Sequence, residues 1–181
     1  MIKVLFDTET TGLLKPSANS VDDQPEIVEL YAVMIDEEYN MLGEFESFFK
    51  PRIPLTPELT KIHGISNEML ESAPTFAEKA DELAKFFTGT DELIAHNVAF
   101  DRSMLANELI RCDKLIHFPW PRIHTCTVEM AMPIEQRRIN LGKLHTYATG
   151  KPHEGAHRAK DDVHALVRCY HWLMERENGS D

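Results

Sequence analysis

The chain has 181 residues, 43% hydrophobic and 27% charged, which is typical of one globular domain with a real core. Its net charge of −11 argues against broad binding of duplex nucleic acid, because such proteins usually carry a basic face. No apolar run reaches the roughly 20 residues that cross a bilayer, the first residues do not look like a signal peptide, and the cysteines are scattered. We therefore expect a cytoplasmic protein, without a membrane segment, whose Cys112, Cys126 and Cys169 are free thiols.

The first 50 residues predict three strands. An apolar run rich in Ile, Val and Phe predicts a buried strand over residues 2–7. A loop rich in Pro, Ser and Asp follows over residues 15–25. Two further β-rich segments, residues 27–35 and 44–49, flank a polar turn and predict a hairpin.

The remainder alternates helices with short strands. Thr56-Pro57, Ser66, the capping box from Thr75 to Glu78, and Asn140 each predict the start of a helix. Segments 93–95 and 123–125 predict short strands. The other predicted helices are one ending near residue 111, one over residues 127–132 and the last helix of the chain. This order indicates an α/β fold with a mixed central sheet in one domain, residues 1–176, followed by a frayed tail, residues 177–181.

Two carboxylates follow the first predicted strand. Asp7 and Glu9 are two residues apart, so their side chains leave the strand on the same face. A hard divalent cation such as Mg²⁺ is the usual way to hold such acids together, although a solvated strand end would also explain them. Asp101 lies where a predicted strand passes into a helix, and it is either a third acid of the site or a simple helix N-terminal acid.

A histidine and a pair of acids flank the start of the last helix. His157 in a loop near carboxylates could act as a general base. Asp161 and Asp162 both follow it, and spacing alone does not decide which faces the site. His153 lies four residues before His157, but the intervening Gly155 argues against a helical zinc pair.

Four segments in order resemble the DnaQ-like (DEDDh) 3′–5′ exonuclease family, which includes the proofreading subunit of bacterial DNA polymerase III. The segments are residues 7–13 (DTETTGL), 62–65 (IHGI), 96–101 (HNVAFD) and 157–162 (HRAKDD). The family pattern places four residues between the histidine and the last acid, which selects Asp162 over Asp161. The similarity spans about residues 1–175.

The resemblance implies an RNase H-like fold and two Mg²⁺ or Mn²⁺ ions. It implies that Asp7, Glu9, Asp101 and Asp162 hold the metals, that His157 is the general base, and that the product is a nucleoside 5′-monophosphate. The expected substrate is the 3′ end of single-stranded or frayed DNA. An RNA-trimming or oligoribonucleotide-degrading enzyme and a non-catalytic nucleic-acid-binding module are the alternatives.

The same motifs imply contacts to the 3′-terminal nucleotide. The expected substrate-binding residues are Thr8, Thr10, Thr11, Gly12, Leu13, Ile62, His63, Ile65, His96 and Asn97. A replication or repair partner is possible. The C-terminal segment that docks polymerase-associated relatives is not visible, however, so a free-standing or phage-type exonuclease is as well supported as a proofreading subunit.

Overall fold

A computed structural model of the chain describes residues 1–179, apart from the side chain of Asn178. Its centre is one mixed sheet of five strands in the order β3-β2-β1-β4-β5, in which β1 pairs antiparallel with β2 and parallel with β4. The pair β2–β3 is antiparallel and the pair β4–β5 is parallel. The strands are β1 (Lys3–Thr10), β2 (Ile27–Ile35), β3 (Met41–Phe48), β4 (Glu92–Ala95) and β5 (Ile123–Cys126).

The first strand is longer than predicted. It was expected to end at Asp7, but β1 continues to Thr10 because β2 pairs with it along its whole length, up to Glu9 opposite Glu29 and Thr10 opposite Ile27. The register shifts between Glu9 and Thr10. The two acids therefore lie within a central strand, and the turn begins only after them.

Seven helices of the described chain surround the sheet, and most predicted helices lie close to their expected positions. The fifth passes its predicted end by three residues, through Pro133, whose fixed φ is compatible with helical backbone. Residues 180 and 181 of the predicted frayed tail lie outside the described residues, and the last helix continues to Asn178. The helices are α1 (Pro57–His63), α2 (Asn67–Leu70), α3 (Phe76–Phe87), α4 (Val98–Arg111), α5 (Thr127–Glu135), α6 (Leu141–Thr149) and α7 (Ala159–Asn178).

The two faces of β1 belong to different cores. Val4 and Phe6 pack in a cluster with residues of α3 and α4, whereas Leu5 packs with residues of α7. Side chains alternate along a strand, so Asp7 and Glu9 follow Leu5 to the α7 face and Thr8 follows Phe6 to the α4 face. Burial of the apolar residues on both sides thus fixes where the acids point.

The loop of residues 15–25 is tied to the domain. It contains a short 3₁₀ helix, Val21–Asp23, and the Arg111 guanidinium of α4 donates hydrogen bonds to the carbonyls of Val21, Gln24 and Pro25. As predicted, all three cysteines are free. None of the helices described within residues 1–179 combines the length and apolar character that a membrane span requires.

Candidate active site

Three carboxylates meet at the end of β1. Carboxylate oxygens of Asp7, Glu9 and Asp162 lie within 4.8 Å of one another. Asp7 and Glu9 come from the central strand, and Asp162 comes from the first turn of α7, which packs across that face of the sheet. The strand period and the docking of one helix are therefore enough to assemble this cluster.

The cluster is electrostatically costly without a cation. Burial, followed by the charges of Asp162 and Glu29, raises the pKa of Glu9 to about 8. Burial also raises the pKa of Asp7 well above its usual range, with the charges of Asp101 and Asp162 adding to the effect. Both acids thus resist ionisation in the fold unless positive charge is supplied.

Asp101 lies beside this cluster, on the α4 side of β1. Its Oδ1 accepts hydrogen bonds from the backbone N–H of Thr8 at 3.1 Å and from the Thr8 hydroxyl at 2.7 Å. Burial, opposed by the two Thr8 hydrogen bonds, raises the pKa of Asp101 to about 7. Asp101 is adjacent to Asp7 and contributes to the same negative field, but among the described residues it is not one of the three that share the 4.8 Å cluster.

The structure separates the two neighbouring acids of α7. Asp162 is buried and joins the cluster. Asp161 instead packs against Gly155 of the preceding loop, so closely that a Cβ on that glycine would lie 2.6 Å from Asp161 Oδ2. Gly155 has φ +79°, which favours glycine as well. The choice that spacing left open thus falls on Asp162.

The loop before α7 holds Asp162 from two sides. The backbone N–H of His157 donates to Oδ2 at 3.0 Å, and His153 Nε2 lies 2.5 Å from Oδ1. His157 has φ +70° and an exposed side chain, and no hydrogen bond to its ring is found within residues 1–179. It is the loop backbone at His157, together with the ring of His153, that contacts the acid.

Sequence reasoning missed an ion pair directly behind the cluster. Glu29, fully buried in β2 opposite Glu9, accepts hydrogen bonds from the Arg158 guanidinium at 2.9 and 3.3 Å. It also accepts one from the backbone N–H of Ala159 at 3.1 Å. Glu29 therefore anchors the chain between His157 and Asp162. A charged residue in an otherwise apolar strand was the signal that could have identified it.

The residues after the acids include an unusually exposed apolar side chain. Leu13 is 80% exposed and Ile62 of α1 is 55% exposed, which leaves both free to contact a ligand. Thr10 and Thr11 shape this turn, because the Thr10 hydroxyl donates to the Gly12 carbonyl and the Thr11 hydroxyl accepts from the Glu26 N–H.

His63 and Ile65 lie behind that surface. Ile65 is fully buried in a core cluster with Val28 and Leu70, so the direct substrate contact expected for it is not available in this structure. His63 is only 3% exposed, and its Nδ1 accepts the Ile65 N–H, which leaves the proton on Nε2. That Nε2 has no partner among the described residues.

His96 and Asn97 connect the site to the segment before α6. The Ile139 carbonyl can only accept, so His96 Nε2 donates to it at 3.1 Å, and Nδ1 lies 2.9 Å from the Thr127 hydroxyl. Asn97 has φ +77°, and its side-chain oxygen accepts from Arg138 at 2.8 Å. Asn97 thereby orients an exposed cation that the sequence did not single out.

The donor set fits a hard divalent cation. Converging carboxylate oxygens are the ligands that Mg²⁺ and Mn²⁺ prefer, and the raised pKa values of Asp7 and Glu9 indicate that the site lacks a balancing positive charge. The α/β fold and this carboxylate cluster at the end of its central strand define the class: an RNase H-like domain with a site suited to divalent metal.

The chain belongs to the DnaQ-like exonuclease family. The family model RNase_T, described as Exonuclease, matches residues 4–170. The chain is 37% identical over 176 residues to DNA polymerase III subunit epsilon of Escherichia coli, covering 93% of this chain and 69% of that protein. It is also 31% identical over 180 residues to a putative bifunctional exonuclease/endonuclease protein of Mycobacterium tuberculosis, covering 96% of this chain but only 26% of the longer relative.

Solved structures share the fold. E. coli exonuclease I in complex with a dT13 oligonucleotide superimposes with a TM-score of 0.75 at 22% identity, covering 98% of this chain and 42% of that one. A 3′-exonuclease that recognises the histone mRNA stem-loop gives a TM-score of 0.75 at 15% identity, covering 98% of this chain and 64% of that one. The RNase H-like architecture predicted from the motifs is confirmed.

Proposed function

We propose that this domain is a metal-dependent 3′–5′ exonuclease that removes nucleoside 5′-monophosphates from single-stranded or frayed DNA ends. The observation that carries the proposal is the meeting of Asp7, Glu9 and Asp162 oxygens within 4.8 Å, in a chain of an exonuclease family. Such a cluster has no evident structural purpose, because it raises the energy of the metal-free fold.

Four acids would hold two Mg²⁺ or Mn²⁺ ions. Asp7, Glu9 and Asp162 already converge, and Asp101 borders Asp7 from the α4 side. When bound, the ions would polarise the scissile phosphodiester and stabilise charge on both the attacking and the leaving oxygen. The Thr8 hydrogen bonds to Asp101 Oδ1 fix that carboxylate and leave its second oxygen free of them.

His157 would act as the general base. Its exposed ring stands on the loop whose backbone holds Asp162, so it can approach a water beside the acids without disturbing their contacts. The ring takes the proton from the attacking water as the water adds to phosphorus in line with the departing 3′-oxygen. Glu29 keeps this loop in register through Arg158 and Ala159.

The residues around the acids would bind the 3′-terminal nucleotide. Exposed Leu13 and Ile62 would pack on the base and sugar, and the buried His63 would support the segment that carries Ile62 from behind. Thr8, Thr10, Thr11 and Gly12 would shape the turn against the sugar-phosphate, while Ile65, His96 and Asn97 support the pocket from behind. A paired end must fray to enter, which costs a few kcal/mol, so mismatched ends would be preferred.

RNA is the second candidate substrate. One structural neighbour is described as recognising a histone mRNA stem-loop. Association with a polymerase is likewise a proposal, supported by the similarity to subunit epsilon.

The deciding experiment uses one oligonucleotide labelled in turn at each end. With Mg²⁺ or Mn²⁺, a 3′–5′ enzyme releases labelled mononucleotide at once from the 3′-labelled strand and gives a descending ladder from the 5′-labelled strand. The same experiment on an RNA strand of matched sequence tests whether the enzyme prefers deoxyribose or ribose. Immediate mononucleotide release from the 5′-labelled strand would refute the 3′–5′ polarity. Faster degradation of the RNA strand than of the DNA strand would show that RNA is the preferred substrate.

Matched variants test the assignment of the acids. Asp7→Ala and Asp162→Asn should abolish turnover. Asp161→Asn, a neighbouring acid that packs on Gly155 outside the cluster, should keep it. Nucleic-acid binding without any mononucleotide release by the wild-type protein in either metal would instead identify a non-catalytic module.

A further inference from the structure

His153 is the one imidazole whose ring contacts the carboxylate cluster within the described residues. Its side chain is only 5% exposed, and Nε2 lies 2.5 Å from Asp162 Oδ1. An ionised carboxylate can only accept, so Nε2 carries the proton and donates, which the neutral imidazole can do without gaining charge. The second oxygen, Oδ2, accepts the His157 N–H.

The surroundings of His153 fix its ring in place. The carbonyl of Lys151, two residues earlier, is a hydrogen-bond partner of His145 Nδ1 at 3.2 Å, and its N–H donates to the Thr149 hydroxyl. The His145 ring lies 5.4 Å from the His153 ring, and a Cβ placed on Gly142 at the start of α6 would lie 4.0 Å from the His153 Cβ. His153 is thus held between α6 and α7.

We propose that His153 is a positioning residue that orients Asp162 for the metal. This inference rests on the proposed function and deepens it. With Oδ1 fixed by an imidazole N–H and Oδ2 by a backbone N–H, Asp162 can turn neither oxygen away from Asp7 and Glu9. Groups that orient metal ligands in this way typically contribute 10- to 100-fold to metal affinity. Mg²⁺ and Mn²⁺ favour oxygen donors over imidazole, which assigns His153 to orientation and not to ligation.

The test measures Mn²⁺ binding by calorimetry, which needs no turnover. His153→Phe removes the donor and should raise the dissociation constant by about 10-fold or more. His153→Gln places an amide N–H where Nε2 stands and should stay within about 3-fold of the wild type. His164→Phe is the matched control, because His164 and His153 line one surface pocket and the His164 ring bonds no carboxylate within the described residues. This variant should leave the Mn²⁺ affinity unchanged.

Turnover supplies the second readout. In His153→Phe the Mn²⁺ concentration for half-maximal rate should rise by the same factor, while kcat at saturating Mn²⁺ recovers to within about 3-fold of the wild type. Thermal melting in chelator checks that each variant folds, and His153→Ala, which also removes the donor, carries the test if His153→Phe does not fold.

Three results would overturn the inference. Unchanged affinity in a folded His153→Phe protein would remove the positioning role, with the proposed exonuclease activity still standing. Equal losses in His153→Phe and His153→Gln would make His153 a ligand. Wild-type protein that neither binds Mn²⁺ nor releases mononucleotide would refute both this inference and the proposed function.

Discussion

Replacing Glu9 by glutamine should stabilise the metal-free protein at alkaline pH. The Glu9 side chain has an ordinary pKa of 4.5, which burial, followed by the charges of Asp162 and Glu29, raises to about 8 in the fold. Between these two values the folded protein keeps a proton that the unfolded chain has lost. Stability therefore falls as pH rises from about 4.5 to about 8.

The size of the effect follows from the same shift. Moving the pKa of Glu9 from 4.5 to about 8 lowers the free energy of unfolding by about 5 kcal/mol at pH 8.5. Water that enters the site when the carboxylate ionises makes this loss smaller. We expect Glu9→Gln to gain at least about 2 kcal/mol at pH 8.5, or about 4–8 °C in Tm for a domain of this size. At pH 5 the gain should nearly vanish, because folded Glu9 is then protonated.

The assay is thermal unfolding followed by circular dichroism in chelator at pH 5 and pH 8.5. Glu38→Gln is the control, since Glu38 is an exposed acid outside the cluster. Adding Mn²⁺ at pH 8.5 should reverse the order, because the wild type gains a metal ligand that the variant lacks. An identical difference in Tm between Glu9→Gln and wild type at both pH values would refute the electrostatic reasoning.

Three further substitutions address other parts of the site. His157→Ala should lower kcat by about 10²–10⁴ with Mn²⁺ affinity retained by calorimetry, and normal turnover would contradict its role as base. Leu13→Ala should raise KM for short single strands about tenfold, because a packed leucine contributes about 1.5–3 kcal/mol, while an unchanged KM would show that the exposed leucine does not contact substrate. Glu29→Gln should lower the free energy of unfolding by about 2–3 kcal/mol and Tm by about 4–12 °C. An unchanged melting curve would mean that Arg158 and Ala159 find other acceptors.

Much of the fold was predictable because its signals are local. The Thr75–Glu78 capping box starts α3, as its sequence indicates, with the Thr75 N–H donating to the Glu78 carboxylate at 2.7 Å. Asn140 caps α6 as its sequence indicates, with its side-chain oxygen accepting the Lys143 N–H. Strand ends were less predictable: β1 passed its expected end because its pairing with β2 depends on residues that are distant in the chain.

In the candidate site, too, some features follow from the local sequence and others from tertiary packing. That Asp7 and Glu9 share a face follows from the two-residue period of a strand, and the sequence determined it without any tertiary information. The family pattern also selects Asp162 over Asp161, and the docking of α7 on the sheet brings Asp162 to the cluster. That His153 contacts this acid and that Glu29 anchors the loop were decided only by this docking. The packing of Val163, Leu166 and Tyr170 against Leu5 and Tyr31 sets the rotation of that helix. Since it joins residues more than a hundred positions apart, no local pattern could report it.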